Sequence, residues 1–196
     1  MGVCINQKLG QYKKNVKATL DLAQRHAEQV KETKDIDLKI EVRRLSDFEL
    51  LIDIKGCETL AFVFKSVKEI EERAKKEGFS YSYAVLTNDG AKKLDEGYKI
   101  SDFPDNEKYY SADFTKTQYA GNILAHKLVA DIIKVVALRC FYAEVSDEGN
   151  YYHTGELGDA IGAIRENGKM IDAIGAELSA KGFENIIKGG ETKIGK

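Results

Sequence analysis

Apolar side chains near the start of the chain recur at spacings of three and four. Leu9, Tyr12, Val16, Leu20, Ala23, Ala27 and Val30 form one stripe on a 3.6-residue period, which predicts a long N-terminal helix. Lys13, Lys17, Asp21, Arg25, Glu28 and Lys31 fill its other side. The period then drops to two. Ile36, Leu38, Ile40 and Val42 alternate with charged residues, and after the turn residues Ser46-Asp47 the run Phe48, Leu50, Ile52 and Ile54 alternates with Glu49, Leu51, Asp53 and Lys55. Strict alternation over both runs predicts an antiparallel hairpin with one dry face. Gly56 ends the second strand, and Thr59–Phe64, apolar on both parities, reads as a buried third strand or as the first turn of a helix. Ser66 followed by Glu69 is a capping box, so a helix is expected from Val67, closed by Gly78.

Phe79–Val85 alternates again and predicts a strand, followed by the turn Asn88-Asp89-Gly90. A short helix over Ala91–Glu96, an edge strand at Tyr98–Ile100, a loop around Pro104 and a strand at Tyr109–Phe114 are expected next. The most apolar stripe runs from Lys116 to Phe141 and predicts a central helix covered on more than one side. Ser146–Asn150 reads as an acidic turn, and Thr154 as the N-cap of a helix from Gly155. Asn167-Gly168 is expected to break or bend that helix, with a last helix over Lys169–Ala180 and a final strand at Phe183–Ile187. The fold expected is α+β: a mainly antiparallel sheet of about five strands with helices on one face, a long N-terminal helix and a helical C-terminal third. With no linker or repeat in its 196 residues, the chain reads as one domain over 1–190 and a frayed polar tail over 191–196.

Composition narrows the function classes. An apolar fraction of 43% with 32% charged residues suits a soluble globule. The formal net charge of -2 gives no bulk signal for nucleic acid. Cys4, Cys57 and Cys140 are odd in number and widely spaced, without a C-x-x-C pair, and no Asn-x-Ser/Thr occurs; reduced thiols and a cytoplasmic location are expected. The start carries no signal-peptide run, and the apolar stretch from Ile123 is broken by charges, so no membrane partner is expected. Met-Gly-Val-Cys resembles an acylation start, but Asn6 stands where that pattern takes Ser or Thr.

Motifs with chemistry are sparse. Gly155, Gly158 and Gly162 lack dinucleotide-binding spacing, and the helical glycines are expected to admit a closely packed neighbour. No nucleophile elbow or histidine pair of metal-binding spacing occurs, so no metal, cofactor or catalytic residue is assigned. His126 reads as a core histidine. The richest segment is Glu144–Asp159, where His153 and Glu156, three apart at a helix start, could meet as an acid–base pair. Ten tyrosines include the pairs Tyr109-Tyr110 and Tyr151-Tyr152, and in a strand one member of such a pair faces outward. The candidate ligand-binding set is therefore Tyr109, Tyr110, Tyr151, Tyr152, His153 and Glu156.

Three functions compete. The first is a non-catalytic binding or regulatory module that self-associates as a dimer, with the N-terminal stripe as a zipper. The second is a small hydrolase- or lyase-type enzyme using His153 and Glu156 in a tyrosine-lined pocket. The third, a weak nucleic-acid binder, needs Lys13, Lys14, Lys17, Arg43 and Arg44 to share one face, and is the least favoured on charge.

Overall fold

The computed structural model describes residues 3–32, 38–77, 84–87, 90–93, 107–117 and 123–180. Elements run in the order β1 (Cys4–Tyr12), α1 (Lys13–Glu32), β2 (Ile40–Ser46), β3 (Glu49–Ile54), β4 (Leu60–Val63), β5 (Lys65–Ser66) and α2 (Val67–Glu77). There follow β6 (Ala84–Thr87), β7 (Gly90–Lys93), β8 (Lys108–Lys116), α3 (Ile123–Ala137), β9 (Tyr142–Asp147), α4 (Tyr151–Thr154) and α5 (Leu157–Ala180). The fold is α+β with antiparallel pairing throughout. The described strands are divided among a four-stranded sheet, order β5-β8-β1-β9, a three-stranded sheet, β2-β3-β4, and the hairpin β6-β7.

The β2–β3 hairpin forms, with Ile40 opposite Ile54 and Val42 opposite Ile52, but β2 runs on through Ser46, the turn falls at Asp47-Phe48, and Ile36 lies outside the described residues. Thr59–Phe64 resolves as strand β4 rather than a helical turn, and the capping box closes as expected. The Ser66 N–H donates to Glu69 Oε2 (2.8 Å), while the Glu69 N–H donates to Ser66 Oγ (3.3 Å).

The chain start differs from its pattern. Leu9 and Tyr12 belong to strand β1, and the helix begins only at Lys13. Ile5 and Leu9 are fully buried on one face of β1, but Gln7 and Gln11 are buried between and beyond them, so polar letters hide the period of two. Both glutamines have work to do. Gln7 Nε2 donates to the Ala61 carbonyl (3.1 Å), and Gln11 Nε2 donates to Thr19 Oγ1 (3.0 Å).

These polar side chains join the two larger sheets. Strand β4 uses one edge for β3; on its other side the Ala61 N–H donates to Asp113 Oδ2 (3.0 Å) and the Val63 N–H to Ser111 Oγ (3.0 Å). The edge of one sheet thus rests on the inner face of the other, its backbone groups satisfied by side chains instead of a ladder. The core below is shared by α1, both sheets, α3, α4 and the start of α5. Val16, Leu20, Ala23 and Ala27 of α1 are all fully buried in it.

The central helix is shorter than its apolar run. Lys116 pairs with Cys4 in the sheet, and the Thr117 N–H donates to the Val3 carbonyl (3.0 Å). At the far end the Cys140 N–H bonds back three residues to Ala137, and Phe141 already donates to the Gly10 carbonyl (3.0 Å), leading into β9. Strand β9 carries little alternation to read: Ala143 is exposed, and its buried last residue is Asp147. Gly90–Lys93 is a strand paired with β6, not the start of a short helix.

Gly155 takes φ +75° and ends α4, so the next helix starts at Leu157, with Thr154 Oγ1 accepting from the Glu156 N–H (3.1 Å). Helix α5 continues without a break through Asn167-Gly168. At Gly158 and Gly162 an added Cβ would meet no atom of the described residues within 4 Å, so the expected close neighbour is not found among them. The Gly78 cap, Phe79–Tyr83, the Asn88-Asp89 turn, Tyr98–Ile100, the Pro104 loop, Phe183–Ile187 and the tail lie outside the described residues.

Candidate functional site

The six candidate ligand residues separate into different environments. Strand β8 turns Tyr109 inward, where its ring stacks on Phe48 (centroids 5.0 Å apart). It turns Tyr110 outward, edge-on to Phe141 (6.1 Å). Tyr151 is buried, its hydroxyl 3.3 Å from Asp131 Oδ1 and its ring approached by the Lys127 and Lys134 ammonium groups. The Tyr152 N–H donates to Asp147 Oδ2 (2.7 Å), and burial, then the charge of Cys140, raises its hydroxyl pKa. Tyr109 and Tyr110 stand on β8 and Tyr151 and Tyr152 on α4, and the two pairs meet different rings: Phe48 and Phe141 for the first, His126 and His153 for the second.

His153 and Glu156 are both exposed, and among the described residues no hydrogen bond or ion pair joins them. Their spacing of three needed one continuous helix. The left-handed turn at Gly155 puts them on different elements. His153 instead rests edge-on against Tyr152 (5.1 Å).

Thiol chemistry fares no better. Burial pushes Cys57 and Cys140 up to about 12. Burial and the neighbouring Glu148 carboxylate push Cys4 up to about 11. A reactive cysteine needs a shift in the other direction. His126 is fully buried, with Nδ1 2.7 Å from Thr117 Oγ1 and Nε2 3.3 Å from Asp147 Oδ1, the second contact too poorly aligned to be a full hydrogen bond. Hydroxyl, imidazole and carboxylate stand in a row, yet the imidazole and carboxylate have no exposed side-chain surface, so no substrate reaches them. Asp147 also accepts from the Gly149 N–H (2.7 Å) and the Tyr152 N–H, which makes the group a clasp between the end of β9, α4 and α3.

The basic cluster inferred for nucleic acid is interleaved with acids. Lys17 meets Asp47 (2.6 Å), Arg43 meets Asp53 (2.7 Å) and Arg44 meets Asp21 (3.4 Å). It is a mixed surface, not a positive one.

A different surface emerges from the pairing register. Residues opposite one another in adjacent strands share a face. The face of the four-stranded sheet turned away from Ile5 and Leu9 therefore carries Lys8, Gly10 and Tyr12 of β1 beside Lys108, Tyr110, Phe114 and Lys116 of β8. Tyr142 and Glu144 of β9 and Lys65 of β5 extend it on either side. Phe114 is 50% exposed and Tyr12 39%. The Phe141 ring lies over Gly10, where an added Cβ would come within 2.9 Å of it, and contacts Tyr12 (4.9 Å). Glu144 bonds Lys8 (2.8 Å) and the Tyr142 hydroxyl (2.7 Å), which hold its carboxyl below the ordinary range. The outward half of this alternation was readable in β8. Its continuation across β1 was not, because β1 read as helix.

No family model, curated protein or solved structure matches the chain. Among the described residues, no group of three or more His, Cys, Asp or Glu could hold a metal ion, and no helix is long and apolar enough to cross a membrane.

Proposed function

We propose that the protein is a non-catalytic binding module whose working surface is the outer face of sheet β5-β8-β1-β9. One observation carries this reading: large aromatic side chains stand exposed on a regular sheet face whose opposite side is already packed. Phe114 in that position gains little from folding, because half of it remains in water. Its cost is offset when a partner covers it. Self-association through the α1 stripe loses its motive, since Val16, Leu20, Ala23 and Ala27 are spent inside the fold. An enzyme built on His153 and Glu156 loses the convergence it required.

The replacement Phe114→Thr tests whether this aromatic serves folding or binding, because threonine keeps strand propensity. A residue kept for a partner leaves the urea midpoint nearly unmoved, within about 0.5 kcal/mol of the parent. A loss above about 1 kcal/mol would assign Phe114 to the stability of the sheet and remove the basis of the proposal.

A further inference from the structure

We infer that helix α5 is an interface between two copies of this chain, its apolar stripe meeting the same stripe of a second copy in antiparallel orientation. This surface is separate from the outer sheet face, and the inference goes beyond the binding function proposed for that face. Leu157, Ile164, Ile171 and Leu178 recur at intervals of seven, so they hold one line along a helix that supercoils about a neighbour of similar length. Ala160, Asn167 and Ile174 stand three positions after the first three of them, and Ile161, Gly168 and Gly175 four. Three positions in seven make the broad face of a bundle helix, which takes more than one neighbour. The other side is polar, with Asp159, Arg165, Glu166 and Lys169 exposed.

The chain's own elements cover part of this face. Helix α5 packs on α3 and α4, where Ala160 is fully buried and Leu157 lies against the core. Ile161 and Ile164, farther along, are only half-buried. Length limits what α3 can do. Its 15 residues rise about 22 Å, whereas the 24 of α5 rise about 36 Å, which leaves about two turns of α5 beyond side-by-side packing. Helix α1 is long enough, but its Val16, Leu20, Ala23 and Ala27 are spent inside the core. Symmetry identifies the missing helix. About the point between Asn167 and Gly168 the stripe reads alike in both directions: Leu157 answers to Leu178, Ala160 to Gly175, Ile161 to Ile174 and Ile164 to Ile171. A two-fold axis through that point sets long side chains level with long ones and small with small, the self-complementarity that an isologous interface requires. A parallel pair would stack Asn167 on its own copy and crowd both α3 helices at one end. The antiparallel pair keeps them at opposite ends and completes a four-helix bundle from two α3–α5 hairs of helices.

Sedimentation equilibrium of the full chain reads the inference directly, with a mass twice the 21.9 kDa of one chain expected. Ile171→Asp and Leu178→Asp should each return the mass of a single chain, because a carboxylate cannot be buried unpaired in an apolar seam. Ala173→Asp, at an exposed position of the same helix, should leave the dimer intact. Among the described residues the core takes only Ala160 from α5, with Leu157 packed beside it, so every variant should keep the tyrosine near-ultraviolet dichroism of the parent. Loss of that signal in Ile171→Asp or Leu178→Asp would place these positions in the chain's own core, against the inference. Orientation is read by oxidation. Asn167→Cys, next to the axis, should give a disulfide-linked pair on a non-reducing gel and Leu178→Cys none, with the parent and its three free thiols as the baseline. Cross-linking at 178 instead overturns the antiparallel pairing. A monomer at every concentration, or a dimer indifferent to Ile171→Asp and Leu178→Asp, overturns the interface. So does a dimer that only Phe114→Asp dissolves, which moves the second copy to the outer sheet face.

Discussion

Gly149 lacks a side chain because His126 stands in the way: a Cβ there would come within 2.6 Å of Nε2. The imidazole is fully buried and pinned by Thr117 and Asp147, so it has nowhere to retreat. Gly149→Ala should therefore cost about 1–3 kcal/mol, the range for overpacking a well-filled site, read as a lower urea midpoint at unchanged slope. Asp147 controls the same clasp through its charge. Burial alone would raise its carboxyl, but the His126 contact and the Tyr152 and Gly149 N–H groups outweigh burial and hold it below its ordinary 3.8. A depressed carboxyl stabilises the fold in full above the unfolded value and ceases to do so as pH falls through the folded one. Asp147→Asn should be destabilised by about 1–3 kcal/mol at neutral pH, because its amide nitrogen would face a backbone donor. The gap between variant and parent should narrow as pH drops below 3.8. A gap that stays constant down to pH ~2 would show that the Asp147 charge is not what the clasp uses.

Elements were legible where local chemistry closes on itself. The β2–β3 hairpin and the start of α2 follow directly from alternation and from the Ser66/Glu69 box, both short-range. Strands β1 and β9 were not legible, because their inward positions include Gln7, Gln11 and Asp147, polar groups whose partners come from distant segments. The candidate site suffered the same fate. Its outward residues on β8 alternate visibly, whereas their neighbours across β1 are defined only by pairing. The junction between the sheets depends on Asp113, and two substitutions there separate charge from hydrogen bonding. Burial raises the Asp113 carboxyl even though it accepts from the Ala61 N–H. Asp113→Asn keeps an acceptor for the Ala61 N–H and sheds the desolvated charge, while its amide nitrogen turns toward the Phe114 N–H, so it should cost less than about 1 kcal/mol. Asp113→Ala leaves the Ala61 N–H without its acceptor and should cost about 1–3 kcal/mol. Equal losses in the two variants would mean that the carboxylate charge, not the hydrogen bond, joins the sheets.

At the scale of the molecule, two sheets that share no ladder behave as one unit only if their common core and side-chain bonds suffice. Buried residues of α1, β1, β3, β4 and α3 belong to a single cluster, and Gln7, Ser111 and Asp113 bind the β4 backbone directly. Helix α1 packs against both sheets, so their separation opens the core that it shares with each. The energetic consequence is cooperativity, because separating them would expose the apolar cluster on both sides at once. Tyr109 reports on this junction. It stands on β8 and stacks on Phe48, at the turn of the other sheet, in a chain without tryptophan. Urea unfolding followed by tyrosine near-ultraviolet dichroism and by backbone dichroism should therefore give superimposable curves with one midpoint. Phe48→Leu should lower that midpoint and keep the far-ultraviolet transition single, since only the reporter contact is weakened. If the tyrosine signal were lost before the backbone signal in the parent protein, the sheets would be separable bodies. The outer face would then rest on a sheet whose inner side opens independently, and its aromatics would need to be explained by that opening.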